Sequence, residues 1–215
     1  MSITEQTSPP TAQPARSAGT LTLASALNLP NLITLSRFVL SLVLFAMMSF
    51  TDWWLASATL FVVAASTDFL DGYFARKYGL VTVLGRIMDP FVDKVIVCGA
   101  FVFLIPQPDS GINGWMAIIV IGREMFVTSL RSFLEKQGQD FSASWSGKIK
   151  MGLQCIAVTA ALLSLSPAIR DHSMANAFFV LRNILHWSAI ASTIYSGVVY
   201  VQRAAQLVRE SSQAK

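Results

Sequence analysis

The stretch 67-TDFLDGYFARKYGLVTVLGRIMDPFVDK-94 carries four aspartates, Asp68, Asp71, Asp89 and Asp93, in a chain built largely of apolar runs. Charge inside a membrane span is costly; it faces a polar cavity, pairs with other charge, or binds an ion. At about 100° per residue, Asp68, Asp71 and Ala75 fall in one narrow sector of a helix, with Gly72 beside them. Gly85, Asp89 and Asp93, four residues apart, stack along one stripe of a second helix. The short turn between these helices would set the two stripes face to face.

Composition supports the membrane setting. Of 215 residues, 53% are hydrophobic and 13% charged, half the charged fraction of an ordinary soluble domain, and the mean hydropathy is +0.55. The formal net charge of +4 suits contact with anionic lipid. Nucleic-acid binding is excluded, because no basic stripe is interleaved with exposed aromatics. Cys98 and Cys155 both lie in apolar runs and read as small hydrophobes. Residues 1–22 are rich in Ser, Thr, Pro, Ala and Gln and lack an apolar signal segment, so they read as a disordered tail.

A bilayer core about 30 Å thick needs roughly 20 apolar residues per helix, and the chain divides into six such candidates, near 31–50, 54–76, 84–105, 114–134, 148–166 and 176–202. The expected fold is therefore an all-α, six-span membrane domain over 23–206, with a short tail at 207–215. The connections after the first, third and fifth spans hold a single basic residue, Arg170, whereas Arg76, Lys77, Arg86, Lys136, Lys148 and Lys150 border the other two. By the positive-inside rule those two loops and both termini are cytoplasmic, which places the aspartates at the cytoplasmic end. His186 and Arg182, one turn apart on the last span, read as helix-packing residues.

Four carboxylates in a poorly solvated site cannot all stay ionised without cations. Oxygen ligands at i and i+3 or i+4 on facing helices suit Mg²⁺, Mn²⁺ or Ca²⁺, and the lack of nearby His or Cys argues against zinc. Gly72, Ala75 and Gly85 would admit a bulky ligand close to the backbone, or serve tight helix packing. A plainer reading pairs the aspartates with Arg76, Arg86 and Lys94; their registration on two stripes speaks against it.

The same residues spell D-x2-D-G-x2-A-R-x8-G-x3-D-x3-D without a mismatch, from Asp68 to Asp93, and this resembles the signature of the CDP-alcohol phosphotransferases. Eight fixed positions would match a given start by chance about once in 10¹⁰. The resemblance implies transfer of a substituted phosphate from a CDP-linked lipid to an acceptor hydroxyl, with release of CMP. It implies that Asp68, Asp71 and Asp89 hold two divalent ions, Mg²⁺ or Mn²⁺, that Asp93 joins the metal site and acts as general base, and that Gly72, Ala75, Arg76 and Gly85 contact the cytidine diphosphate. A homodimer is implied as well.

Beyond the motif, Arg123, Arg131, Lys148 and Lys150 exceed the cations one metal-bound diphosphate needs, which points to an anionic acceptor. Snorkelling at the cytoplasmic interface is the plainer reading, and the favoured one for Lys150 and Lys136. The strings N-L-P-N-L-I-T-L-S-R (28–37), G-R-E (122–124) and S-x-x-G-K-x-K (144–150) resemble those of the bacterial phosphatidylglycerophosphate synthases, a branch of the family. That likeness implies CDP-diacylglycerol and sn-glycerol 3-phosphate as substrates, in the bacterial inner membrane. Asn31 and Thr34 would then line the CDP side, and Arg37, Arg123, Arg131, Lys148 and Lys150 the acceptor phosphate. Met151 departs from the pattern, standing where a Thr is expected. Two readings stay open at this point: another acceptor (inositol phosphate, serine or phosphatidylglycerol), and a non-enzymatic cation carrier.

Overall fold

The computed structural model describes the backbone of residues 29–78, 83–136 and 145–213, and the side chains of residues 32–67, 88, 91–135, 147–207 and 209. The tail expected at 1–22 lies outside the described residues. Among those described, all regular structure is helical. The long helices are α1 (Leu29–Phe50), α2 (Trp54–Tyr78), α3 (Val83–Leu104), α4 (Gly114–Lys136), α5 (Trp145–Leu165) and α6 (Ala175–Gln213). Each matches one apolar run of the sequence to within a few residues, except that α6 continues through 207–213, where a tail is expected.

The breaks between helices have local causes. Pro106 and Pro108 follow the end of α3 at Leu104, where residues preceding proline leave the helical region. A 3₁₀ turn, Pro108–Ser110, then ends on Gly111 at φ +73°, a conformation that costs glycine nothing. A Cβ at Gly111 would lie 2.9 Å from the Arg182 guanidinium, so glycine is needed there twice over. The Asn113 side chain accepts the Met116 N–H at 3.0 Å and caps the start of α4. Leu165 closes α5 before Ser166-Pro167, and Pro167 opens a single helical turn, Pro167–Arg170, the position proline favours.

Packing closes the helices into a ring. Going round it, α1 packs on α2, α2 on α5, α5 on α6, α6 on α4, α4 on α3, and α3 back on α1; α3 also touches α5 across the middle. The main core, including Leu44, Phe61, Ile96, Phe101, Val120 and Leu162, fills one end. A smaller cluster, Val127, Leu134, Tyr200 and Ala204, lies toward the other. On the outside, Leu35, Val39, Val62, Val63, Ile118, Phe126, Ile156, Ile184 and Trp187 are exposed. A face of that composition suits lipid and would be an aggregation hazard in water.

Three segments are long and apolar enough to cross a membrane by length and composition, Leu32–Phe50, Gly147–Leu165 and Ala175–Leu207; Trp54–Thr67 is a shorter apolar helix. Helix α4 carries Arg123, Glu124 and Arg131 in its middle, and it is this charge that separates it from a simple apolar span.

Helices α1 and α3 approach closely at Gly99. A Cβ on Gly99 would run into Cζ of Phe45, whose ring stacks on Phe103 at 4.8 Å between centroids. Gly99→Ala should therefore destabilise the bundle by about 1–3 kcal/mol, the usual cost of overpacking. Thermal unfolding in detergent measures it, and adding Phe45→Leu should restore most of the loss. An unchanged unfolding temperature in Gly99→Ala would show that the contact is not tight.

Candidate functional site

Because successive helices run antiparallel, the start of α1, the start of α3, the end of α4, the start of α5 and the end of α6 meet at one end of the ring. That end collects the polar side chains. Asp93, Lys94, Glu124, Arg131, Lys150 and Gln154 line a cavity of about 160 Å³, space for about five waters at their liquid volume. Asp93 enters from α3, half-buried at 23% side-chain exposure.

Two ion pairs between helices organise the walls. Arg37 of α1, 2% exposed, donates from Nη2 to Asp93 Oδ1 at 2.5 Å and from Nε to the Ala64 carbonyl of α2 at 3.3 Å. One guanidinium thus ties three helices at the aspartate. Across the cavity, Lys150 of α5 pairs with Glu124 Oε1 of α4, and Arg123 Nη1 reaches the same oxygen at 3.2 Å. Charge-assisted bonds of this kind are what make buried ions tolerable.

Helix α6 completes the wall. Arg123 Nη2 donates to Ser196 Oγ at 2.5 Å, and Arg131 Nη2 to Tyr200 Oη at 3.1 Å. Both guanidiniums lie against the Tyr200 ring, at 5.3 Å for Arg123 and 5.8 Å for Arg131. Nearby, Gln154 Nε2 donates to Thr193 Oγ1 at 2.9 Å. Lys94 turns to Thr128 Oγ1 at 2.6 Å. Among the described residues, five cations (Arg37, Lys94, Arg123, Arg131 and Lys150) surround two carboxylates, Asp93 and Glu124. Such an excess favours an anion in the cavity.

The residues singled out from sequence fall into three groups. Asp93, Arg131 and Lys150 line the cavity, with Arg123 at its edge. Lys150 does not snorkel: it is 5% exposed, because Glu124 on the facing helix compensates its charge. Arg37, expected among the phosphate ligands, pairs with Asp93. Thr34 is buried one turn before it on α1. Lys148 is exposed in the first turn of α5. The side chains of Asn31, Asp68, Asp71, Gly72, Ala75, Arg76, Gly85, Asp89 and Lys136 lie outside the described residues; their backbones fall on α1, on the last turns of α2, at the start of α3 and at the end of α4. Asp89 is one helical turn before Asp93.

Glu124, Ser196 and Tyr200 received no role from the sequence. A signal existed for the last two: Thr193, Ser196 and Tyr200 are spaced by three and four residues, a polar stripe on an otherwise apolar helix. Arg182 and His186 stay away from the cavity. Arg182 binds the Asp109 carbonyl at 2.5 Å and Ser164 Oγ at 3.1 Å, and His186 Nε2 lies 3.2 Å from the Ala157 carbonyl, so both tie helices at the opposite end, as their packing reading has it.

Comparison with known proteins agrees with the motif. The CDP-alcohol phosphatidyltransferase profile matches residues 27–195. The chain is 36% identical over 199 residues to CDP-diacylglycerol–glycerol-3-phosphate 3-phosphatidyltransferase of Bacillus subtilis (strain 168), covering 86% of this chain and 99% of that protein. The protein of the same name from Rickettsia bellii (strain RML369-C) is 32% identical, with 80% and 93% covered. An Arabidopsis thaliana relative, CDP-diacylglycerol–glycerol-3-phosphate 3-phosphatidyltransferase 2, is also 32% identical, with 84% and 81% covered. The chain belongs to the CDP-alcohol phosphatidyltransferase family.

Proposed function

We propose that the protein transfers the phosphatidyl group of CDP-diacylglycerol to a hydroxyl of sn-glycerol 3-phosphate, giving phosphatidylglycerophosphate and CMP. The observation that carries this choice of acceptor is the gathering of Arg123, Arg131 and Lys150 around the cavity that Asp93 also lines. Glu124 answers only one of these three charges, so a neutral or zwitterionic acceptor would leave the wall with an uncompensated excess of positive charge. The names of the relatives support the same substrates.

In this reading the acceptor phosphate lies against the α4 and α5 cations, which orients its glycerol hydroxyl toward Asp93. Asp93 takes the hydroxyl proton, the oxygen attacks the phosphorus that bears the diacylglycerol, and the bond from that phosphorus to the CMP oxygen breaks. Arg37 holds the carboxylate in place. Burial of the site makes fixed charges effective, because they need not reorient during the reaction.

Divalent metal is part of the proposal. Among the described residues no group of three metal-ligating side chains gathers, since three of the four motif aspartates have side chains outside them. The donor that is described, the Asp93 carboxylate, is a hard oxygen ligand and fits Mg²⁺ or Mn²⁺. Asp68, Asp71, Asp89 and Asp93 would hold two ions, which when bound neutralise diphosphate charge and polarise the phosphorus.

Six crossings, cytoplasmic termini, residence in a bacterial inner membrane and a homodimer complete the proposal. The basic residues around α2, α3 and the end of α6 support the orientation. A cation carrier is disfavoured, because an ion path would have to cross the end filled by Leu44, Phe61, Ile96, Phe101 and Leu162.

The acceptor is tested by measuring CMP release from CDP-diacylglycerol with sn-glycerol 3-phosphate, inositol phosphate, serine and phosphatidylglycerol in turn. Turnover is expected with glycerol phosphate; turnover with another acceptor and none with glycerol phosphate would overturn the assignment. Asp93→Asn should lower kcat by about 10²–10⁴, the usual range for a general base, while CDP-lipid binding persists; near-normal kcat would remove Asp93 from that role. Arg123→Ala should raise KM for glycerol phosphate by about 10-fold or more, the loss of one charge-assisted bond, and leave KM for CDP-diacylglycerol within about 2-fold. An equal rise in both would point to structural damage.

A further inference from the structure

Two arginines eight residues apart on one helix are separated along the axis by about 12 Å, at 1.5 Å per residue, and turned by about 80°. The α4 backbone alone therefore does not make Arg123 and Arg131 act on one small anion. What they share is a side chain from another helix. Tyr200 of α6, 2% exposed, has both guanidiniums against its ring at 5.3 and 5.8 Å and accepts a hydrogen bond from Arg131 Nη2 at 3.1 Å. A π face offsets the repulsion between two cations drawn together in a place short of water.

The remaining contacts sharpen this. Arg123 is steered at its other end by Glu124 and Ser196. Despite these anchors, Nε of Arg123 and Nε of Arg131 are both buried with no hydrogen-bond partner among the described residues. Buried donors left unpaired are rare in a native protein and ask for a ligand or water. An oxyanion is the partner a guanidinium N–H takes best. Tyr200 also has no slack. A Cβ on Gly147 of α5 would come within 3.4 Å of its hydroxyl, so the residue just before Lys148 must be small for the tyrosine to stay where it is.

We propose that Tyr200 is a positioning residue that holds Arg123 and Arg131 as a single phosphate-directed pair, and so sets the preference for a phosphorylated acceptor. This rests on the reading that these arginines take the acceptor phosphate. Without the ring, two long side chains regain their rotamer freedom and settle on Glu124 or the lipid interface, and the phosphate must reorder them on binding.

The test is steady-state kinetics of purified full-length enzyme in detergent–lipid micelles, varying sn-glycerol 3-phosphate and CDP-diacylglycerol separately. Tyr200→Phe keeps the ring and loses the hydrogen bond from Arg131, so KM for glycerol phosphate should rise about 3- to 10-fold. Tyr200→Leu also loses both ring contacts, and the rise should reach about 30-fold or more. In both variants kcat and KM for CDP-diacylglycerol should stay within about 3-fold of wild type. Confinement of the graded rise to the glycerol phosphate KM is what a purely structural role would not produce.

An unchanged KM for glycerol phosphate in the Leu variant would overturn the inference while leaving the functional reading intact. A parallel rise in both KM values, or a fall in kcat alone, would overturn it equally. Should Tyr200→Leu fail to fold, Tyr200→Phe decides: no rise in its glycerol phosphate KM is a refutation. Wild-type enzyme that turns over a different acceptor but not glycerol phosphate would fail the functional reading first, and this inference with it.

Discussion

A charge enclosed in an apolar helix bundle must meet an opposite charge or a hydrogen-bonding partner, and this molecule is arranged around that requirement. Among the described residues, Arg182 is answered at one end by the Asp109 carbonyl and Ser164, and the ion pairs between the long helices gather at the other. Arg37, Asp93, Glu124 and Lys150 meet at one end, and each pair joins two helices. Removing one partner of such a pair leaves an uncompensated ion, typically a loss of about 3–5 kcal/mol. The pairs therefore act as registration devices as well as site walls: α1 cannot slide on α3 without breaking Arg37–Asp93, nor α4 on α5 without breaking Glu124–Lys150.

The apolar end gives this polar end its rigidity. Phe45 against Gly99 and Phe103 locks α1 to α3 about one and a half turns beyond Asp93, so the aspartate rests on a helix that is held on both sides. Labour divides between the helices accordingly. In the proposed function, α2 and α3, which bear the aspartate motif, would serve the nucleotide-linked donor, α4 and α5 would supply cations for a phosphorylated acceptor, and Ser196 and Tyr200 of α6 hold two of those cations in place. Asp93 lines the cavity between these two sets of helices, the place that the proposed proton transfer requires.

The helices were legible in the sequence because their signal is local: an apolar run of sufficient length, bounded by Pro106, Pro108, Gly111 or Pro167. The eight-position aspartate motif was legible for the same reason, since its spacing is set along two adjacent helices. Pairings between distant helices were not. Arg37 finds Asp93 across 56 residues, Lys150 finds Glu124 across 26, and Arg131 finds Tyr200 across 69, and no periodicity within one helix encodes these meetings. Hence the sequence points to Arg37 as a phosphate ligand, favours the lipid interface for Lys150, and assigns Tyr200 no role. By length and composition three segments qualify as crossings, and α4, with Arg123, Glu124 and Arg131 along it, is not among them.

The central claim is that acceptor binding and proton transfer are separate tasks within one cavity. Calorimetric titration of sn-glycerol 3-phosphate into Asp93→Asn enzyme, with CDP-diacylglycerol and Mg²⁺ present, tests it directly, because turnover is silenced while the cationic wall is intact. The account expects saturable binding in that background and binding at least about 10-fold weaker once Arg131→Ala is added. Equal affinity in the single and double variants, or no binding in Asp93→Asn alone, would contradict it.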